Sequence, residues 1–350
     1  MTIDELISGI RPADLCIYEA SRERWNSLAK PLGSLGVLEE DISRIAAAKG
    51  TVDVRLEKRK LLIFCADNGV VAQGVSQTDE SATTAVASAL GRGDSTASFM
   101  ARSAGCDITA VNIGMKEDTP AGVLDCRIRR STGDITQGPA MRRDECERAI
   151  LAGAALAEKM ASEGTDILLL GEMGIGNTTT SAATACVLLS AEPEKLAGRG
   201  AGLSDAGMRR KIRAIREAVE RNRPDPDDPV DIMQKVGGLD LAALCGACLG
   251  AARFHIPVLL DGVITNVAAL LAVRLCPDVR DVLAASHVSE EPAAAMLLKE
   301  LQLAPCISAG LHLGEGTGAL LALSLLDQAL AVYQSGHTFE NLGITAYTLQ

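Results

Sequence analysis

The sequence predicts an α/β protein: a Rossmann-like parallel sheet wrapped by helices, with a smaller, mainly helical domain beside it. Short runs of branched apolar residues, the pattern of strands covered on both faces, are each followed by a polar or glycine-rich loop and a helical stretch, at least five times over. Hydrophobic residues make up 47% of the 350 residues but aromatics only 2%, so the interior must be Ala, Leu, Val and Ile, with helices packed closely through small side chains. Residues 1–57 read as helices with no strand among them. The expected division is a large α/β domain over 58–312, carrying the substrate crevice, and a small helical domain from 1–57 plus 313–350.

In chain order, helices are expected at 3–10, 14–28 and 36–48, with a shaped loop at 29–36 where Pro31, Gly33 and Gly36 interrupt them. A strand at 60–66 delivers Asp67, Asn68 and Gly69 at its end; one helix covers 82–104, and a strand follows at 107–114. Residues 115–137 are polar and read as irregular with short strands, before a helix at 142–162. The stretch 165–190, TDILLLGEMGIGNTTTSAATACVLLS, then reads as strand, glycine turn and helix. A second glycine-rich turn spans 196–202, and an amphipathic helix at 205–221 places Met208, Ile212, Ile215 and Val219 on one face. A Pro/Asp loop at 222–229 leads to one helix over 230–252, a strand at 256–260 and a helix at 264–275. A strand at 281–285, a helix at 292–300 and a long helix at 319–334 complete the chain.

Net charge is −11, and with one Trp and three Tyr there are few platforms for stacking bases, so a nucleic-acid surface is not expected. The basic clusters at 127–130 and 209–213 lie among acids and read as solvated faces or local anion contacts. Ten scattered cysteines in apolar surroundings fit reduced thiols of a cytoplasmic protein; Cys245 and Cys248 form a CxxC with no second pair, inside an apolar helical run. The acidic opening MTIDELISGI does not read as a signal peptide, and Arg253, His255 and Asp261 interrupt the most apolar region, so no membrane span is expected. The four histidines share no ligand spacing, and no metal site is expected.

Two carboxylates stand out because small residues flank them: Glu172 in LLGEMGIG and Glu315 in LGEGTGA. Bare flanks let a ligand approach closely, and apolar surroundings raise a carboxyl toward the range of a general base. A turn of Gly174, Gly176 and Asn177 at the start of a helix aims unpaired N–H groups at one point, which suits a phosphate; the same residues also read as a tight connection with a solvated Glu172. Gly200, Gly202 and Lys211 offer backbone donors and an ammonium to the same end, or form a loop before a solvated helix. Asp67, Glu172, Asp261 and Ser286 fall at the carboxyl edge of the expected sheet, where ligands of such folds sit. Neither glycine turn is a dinucleotide or ATP signature, and no Gly-x-Ser-x-Gly elbow is present.

Taken in order, these stretches resemble the nicotinate-nucleotide:dimethylbenzimidazole phosphoribosyltransferases. The matching segments are Lys30-Pro31 with 33–36, then 67–76, 171–179, 198–211, Asp261-Gly262 and 313–318, collinear over almost the full chain, with GEMGIGNTT and LGEGTGA as the specific pair. The resemblance implies transfer of phosphoribose from nicotinate mononucleotide, a substrate and not a cofactor, to an aromatic acceptor. The products are an α-riboside phosphate for cobamide synthesis and free nicotinate; no cofactor is implied. It makes Glu315 the general base and Glu172 a second carboxylate. Gly174, Gly176, Asn177, Gly200, Gly202, Lys211 and Asp261 become phosphate and ribose ligands, and Ser76, Thr78, Ala85 and Leu313 line the acceptor pocket. A dimer is implied, of like chains or with a paralogue.

The chain departs from the family's pattern at Asn68 and Gln73, after Ser76, where Gln77-Thr78-Asp79 follow, and at Ala85, where the family often carries a glutamine. Those departures point to a changed acceptor, and the phenol-activating heterodimeric members of the family are the expected match. A phosphosugar isomerase or phosphatase using the same crevice is the competing enzyme class. A non-catalytic paralogue subunit is opposed by the intact Glu172 and Glu315.

Overall fold

The structure, a computed structural model, describes residues 1–347. Among these, strands β1 (Arg59–Ala66), β2 (Asp107–Gly114), β3 (Leu124–Asp125), β4 (Ile167–Met173), β5 (Val258–Leu260) and β6 (Leu283–Ala285) form one parallel sheet. Their order is β3-β2-β1-β4-β5-β6, the winding of dinucleotide-binding sheets. In that order the direction of winding reverses beside β1, so the loops after β1 and β4 diverge and open a crevice between them.

Side-chain alternation along β1 divides the core in two. Leu62, Phe64 and Ala66 join a cluster with the helices Arg143–Ser162, Leu239–Arg253 and Val263–Leu275, while Leu61, Ile63 and Cys65 face the helices Leu15–Ser27, Val37–Lys49 and Thr317–Tyr333. The terminal helices expected to form the small unit thus pack on one face of the sheet through Trp25, Ile42, Leu323 and Tyr333, except the helix Ile3–Ser8, which packs through Leu6 on the opposite side. Trp25 and Tyr333 supply the bulk there, their ring centroids 4.9 Å apart.

Two expected helices are each broken, and both breaks matter for the site. The run 82–104 divides into Ser81–Arg92 and Thr96–Ser103: Gly93 turns left-handed at φ +75°, and Ser95 caps the second helix by accepting from Ser98 N at 3.1 Å. The run 230–252 divides into Pro229–Val236 and Leu239–Arg253, with Gly237 and Gly238 at the break. The strand that opens the stretch 165–190 runs on to Met173, past the first glycine of the expected turn, since Glu172 stands opposite Phe64 in the β1 ladder and its backbone belongs to the sheet. Of the segment 115–137 only Leu124–Asp125 is strand. All ten cysteines are free thiols. No helix of the described residues is long and apolar enough to cross a membrane.

Candidate active site

A cleft of about 320 Å³ opens at the carboxyl edge of the sheet, between the loops that follow β1, β4 and β5 and the segment before helix Thr317–Tyr333. Glu172 and Glu315 stand in its wall, locked to one another through the backbone: Glu315 N donates to Glu172 O at 3.2 Å. Glu315 has φ +56°, a left-handed conformation that strains any residue with a Cβ. At Gly314, φ +89°, an added Cβ would lie 2.8 Å from Glu172 Oε1, so glycine there lets the two carboxylates share one wall. The break before Thr96 finds its use here, because the N-terminus of helix Thr96–Ser103 points Ala97 N at Glu315 Oε2, at 3.4 Å. Burial, chiefly, raises the Glu315 carboxyl above its ordinary range.

Glu172 is buried at the end of β4, and its Oε2 accepts from the Asn177 amide. The same amide nitrogen donates to Asp240 Oδ2 at 3.2 Å. Burial first, and then the nearby Asp240 carboxylate, push Glu172 up to about 8; burial pushes Asp240 up to about 6. A carboxyl whose folded pKa exceeds its unfolded one stabilises the fold fully at low pH and loses that contribution as pH rises toward the folded value. For Glu172 the loss runs from about pH 4.5 to about pH 8. Glu172→Gln escapes it, so thermal melts at pH 9 should show the variant more stable than the parent by roughly 2 kcal/mol, with the difference vanishing at pH 4.

The other expected site residues divide by position. Gly174, Gly176, Asn177, Gly200, Asp261, Ser76 and Leu313 line the cleft. Asp261 does so as a brace: its Oδ1 accepts from Gly318 N at 2.7 Å and its Oδ2 from Gly316 N at 3.1 Å, which caps helix Thr317–Tyr333 and fixes the loop carrying Glu315. Lys211 is buried behind the wall, Nζ donating to Thr178 Oγ1 at 2.9 Å and to Gly198 O at 2.8 Å, and burial pushes its pKa down to about 8. Gly202 lies just outside the lining, its carbonyl accepting from the Gln77 amide that spans the cleft's rim. Thr78 and Ala85 are exposed and outside the lining; Val86, Gln77 and Met173 stand in the wall instead. Asp67 and Ser286 sit behind the wall, Asp67 Oδ2 accepting from Lys116 N at 2.8 Å and Ser286 Oγ donating to Asp261 O at 3.2 Å.

Sequence reasoning missed Asp240, Glu291 and His287. Glu291 Oε1 accepts from Gly200 N at 2.8 Å, so a carboxylate holds the backbone donor expected for a phosphate. His287 lines the cleft beside Asp261, and burial holds it below the ordinary histidine value. Asp240 did carry a signal, a lone carboxylate in the apolar run GGLDLAALC.

A family model described as "Phosphoribosyltransferase" matches residues 10–344. The nicotinate-nucleotide–dimethylbenzimidazole phosphoribosyltransferase of Ruminiclostridium cellulolyticum is 39% identical over 348 residues, 99% of each chain. The protein of the same name from Acetivibrio thermocellus is 42% identical over 330 residues, 94% of each. Among solved structures, CobT from Thermus thermophilus superposes with a TM-score of 0.89 at 37% identity, covering 95% of this chain and 99% of that one.

Proposed function

The chain belongs to the phosphoribosyltransferase family, together with the nicotinate-nucleotide–dimethylbenzimidazole enzymes, and from that premise we propose how its cleft performs the transfer. The protein moves the phosphoribosyl group of nicotinate mononucleotide to dimethylbenzimidazole. The C1–N bond to the pyridinium breaks with its electron pair going to the ring nitrogen, so the positive charge of the pyridinium is discharged and nicotinate leaves as the carboxylate anion. An acceptor ring nitrogen bonds to C1 from the opposite face and yields the α-riboside phosphate. The proton on the acceptor's other nitrogen passes to Glu315. Because departure discharges a cation, the task left to the ionised Glu315 is to take that proton and to stabilise positive charge on the ribose.

One observation carries this reading: two carboxyls, Glu172 and Glu315, share one wall of a cleft that also contains the N-terminal turn of helix Asn177–Leu188. That turn suits the phosphate, and Lys211 supports it through Thr178. Replacing Lys211 with Met should raise KM for nicotinate mononucleotide about tenfold, the worth of the one hydrogen bond by which it orients the Thr178 hydroxyl. An unchanged KM in the folded variant would make Lys211 a packing residue only.

Of the departures that favoured a phenolic acceptor, Asn68, Gln73, Thr78, Asp79 and Ala85 lie outside the lining and Gln77 stands in it, a balance that supports the benzimidazole. The test is nicotinate release by the purified protein, measured with no acceptor, with dimethylbenzimidazole and with phenol. Release that required phenol would overturn the acceptor, and release without any acceptor would overturn the transfer. The exposed Phe99 and Leu321, on helices that pack against one another, support a two-subunit assembly. Sedimentation showing only the 36.5 kDa chain would exclude it.

A further inference from the structure

The Asn177 amide nitrogen lies between two buried carboxyls, Glu172 in the cleft wall and Asp240 behind it. Asp240 has no exposure, and the backbone has been cleared around it: a Cβ at Gly238 would lie 2.3 Å from Asp240 Oδ1, and one at Gly174 would lie 3.2 Å from Oδ2. Leu241 N donates to Oδ1 at 3.0 Å, so the carboxylate is anchored at the first turn of helix Leu239–Arg253. A buried charge kept in place this closely, with no lysine or arginine hydrogen-bonded to it, requires a reason other than stability.

We propose that Asp240 is a positioning residue: through Asn177 it aims Glu172, and by its own charge it favours the protonated form, so that Glu172 presents an O–H to the cleft while Glu315 alone serves as the base. This rests on the transferase reading only for what the O–H does, namely donate a hydrogen bond to the bound substrate. The groups facing Glu172 are Asp240 from the helix behind, Asp261 from the loop after β5, Glu315 from the facing loop and the Cys65 thiol on β1; Asp67 faces Asp240. Burial raises both carboxyls, Glu172 the further, and the Asp240 charge opposes ionisation of Glu172, so the proton of the pair is assigned to Glu172. Two carboxyls with one donor between them thus take different roles from their surroundings.

The bridge makes two substitutions act with opposite sign. Asp240→Asn removes the charge that raises Glu172, and Asn177→Ala removes the donor that stabilises its ionised form. The probe is the side-chain carbon shift of Glu172 in protein labelled at glutamate, assigned with Glu172→Gln and followed from pH 4 to 10 without substrate. The midpoint should fall by about one pH unit in Asp240→Asn and rise by a similar amount in Asn177→Ala. The alkaline limb of kcat/KM should follow the Asp240→Asn midpoint downward. An unmoved midpoint, or shifts of the same sign in two folded variants, would overturn the proposal. Because the titration needs no turnover, it stands apart from any failure of the transferase reading, which the nicotinate assay alone decides.

Discussion

Replacing Glu315 with alanine lowers acceptor-dependent nicotinate release by roughly two orders of magnitude or more, the usual loss when a general base is removed. The fold should survive, because the side chain makes one long hydrogen bond, to Ala97 N, and the loop is held by Asp261 through backbone groups that the substitution leaves untouched. Alanine inherits the left-handed φ of +56°, so the comparison isolates the carboxylate from the backbone strain. Glu315→Gln should fail almost as badly, since the amide keeps the shape and cannot take a proton. The base works ionised, so in the parent kcat/KM falls as pH drops through its raised pKa; if Glu172 works protonated, activity falls again above about pH 8. A bell-shaped profile that loses its acidic limb in the residual activity of Glu315→Ala identifies the base. A variant with near-parental turnover would remove Glu315 from the chemistry.

The central strands were legible because most of their residues are buried on both faces and read as apolar runs; β1, β2 and β4 lie within two residues of their expected bounds, whereas the exposed β3 carries no such run. That Glu172 and Glu315 share a wall was implied only by the family resemblance; the glycines beside each were read as room for a ligand, and the Gly314 contact shows that they also let the two carboxylates stand together. The helix breaks at Gly93 and at Gly237-Gly238 were passed over because the flanking helical runs are long and apolar, and a glycine inside a helical pattern is tolerated at about 1 kcal/mol. Both breaks place a helix N-terminus at the site, with Ala97 against Glu315 and Asp240 behind Asn177. Glu291 gave no signal, sitting in an ordinary acidic loop, and only folding brings it against Gly200, 91 residues away in sequence.

The same small-residue packing sets the second large effect. Replacing Gly246 with valine should destabilise the fold by about 3 kcal/mol or more, at or beyond the usual limit for overpacking because the obstacle is backbone, and leave little soluble protein. A Cβ at Gly246 would lie 1.8 Å from Ile150 O, and one at Gly153 on the opposing helix 1.9 Å from Ala243 O. The obstacle in each case is backbone, which no rotamer change can move, so helices Arg143–Ser162 and Leu239–Arg253 would have to part along their length. Composition alone pointed this way, since a chain that is 47% hydrophobic but only 2% aromatic must close the gaps in its core by bringing backbones together. Denaturant midpoints for Gly246→Val and the gentler Gly246→Ala measure the effect, and near-parental midpoints would mean that the pair parts without penalty. Asp240 rides on the first turn of that helix, so any Gly246→Ala protein that folds should also lose turnover through a displaced Asp240–Asn177–Glu172 bridge. Lost stability with unchanged kcat would instead show that the bridge tolerates movement of the helix beneath it.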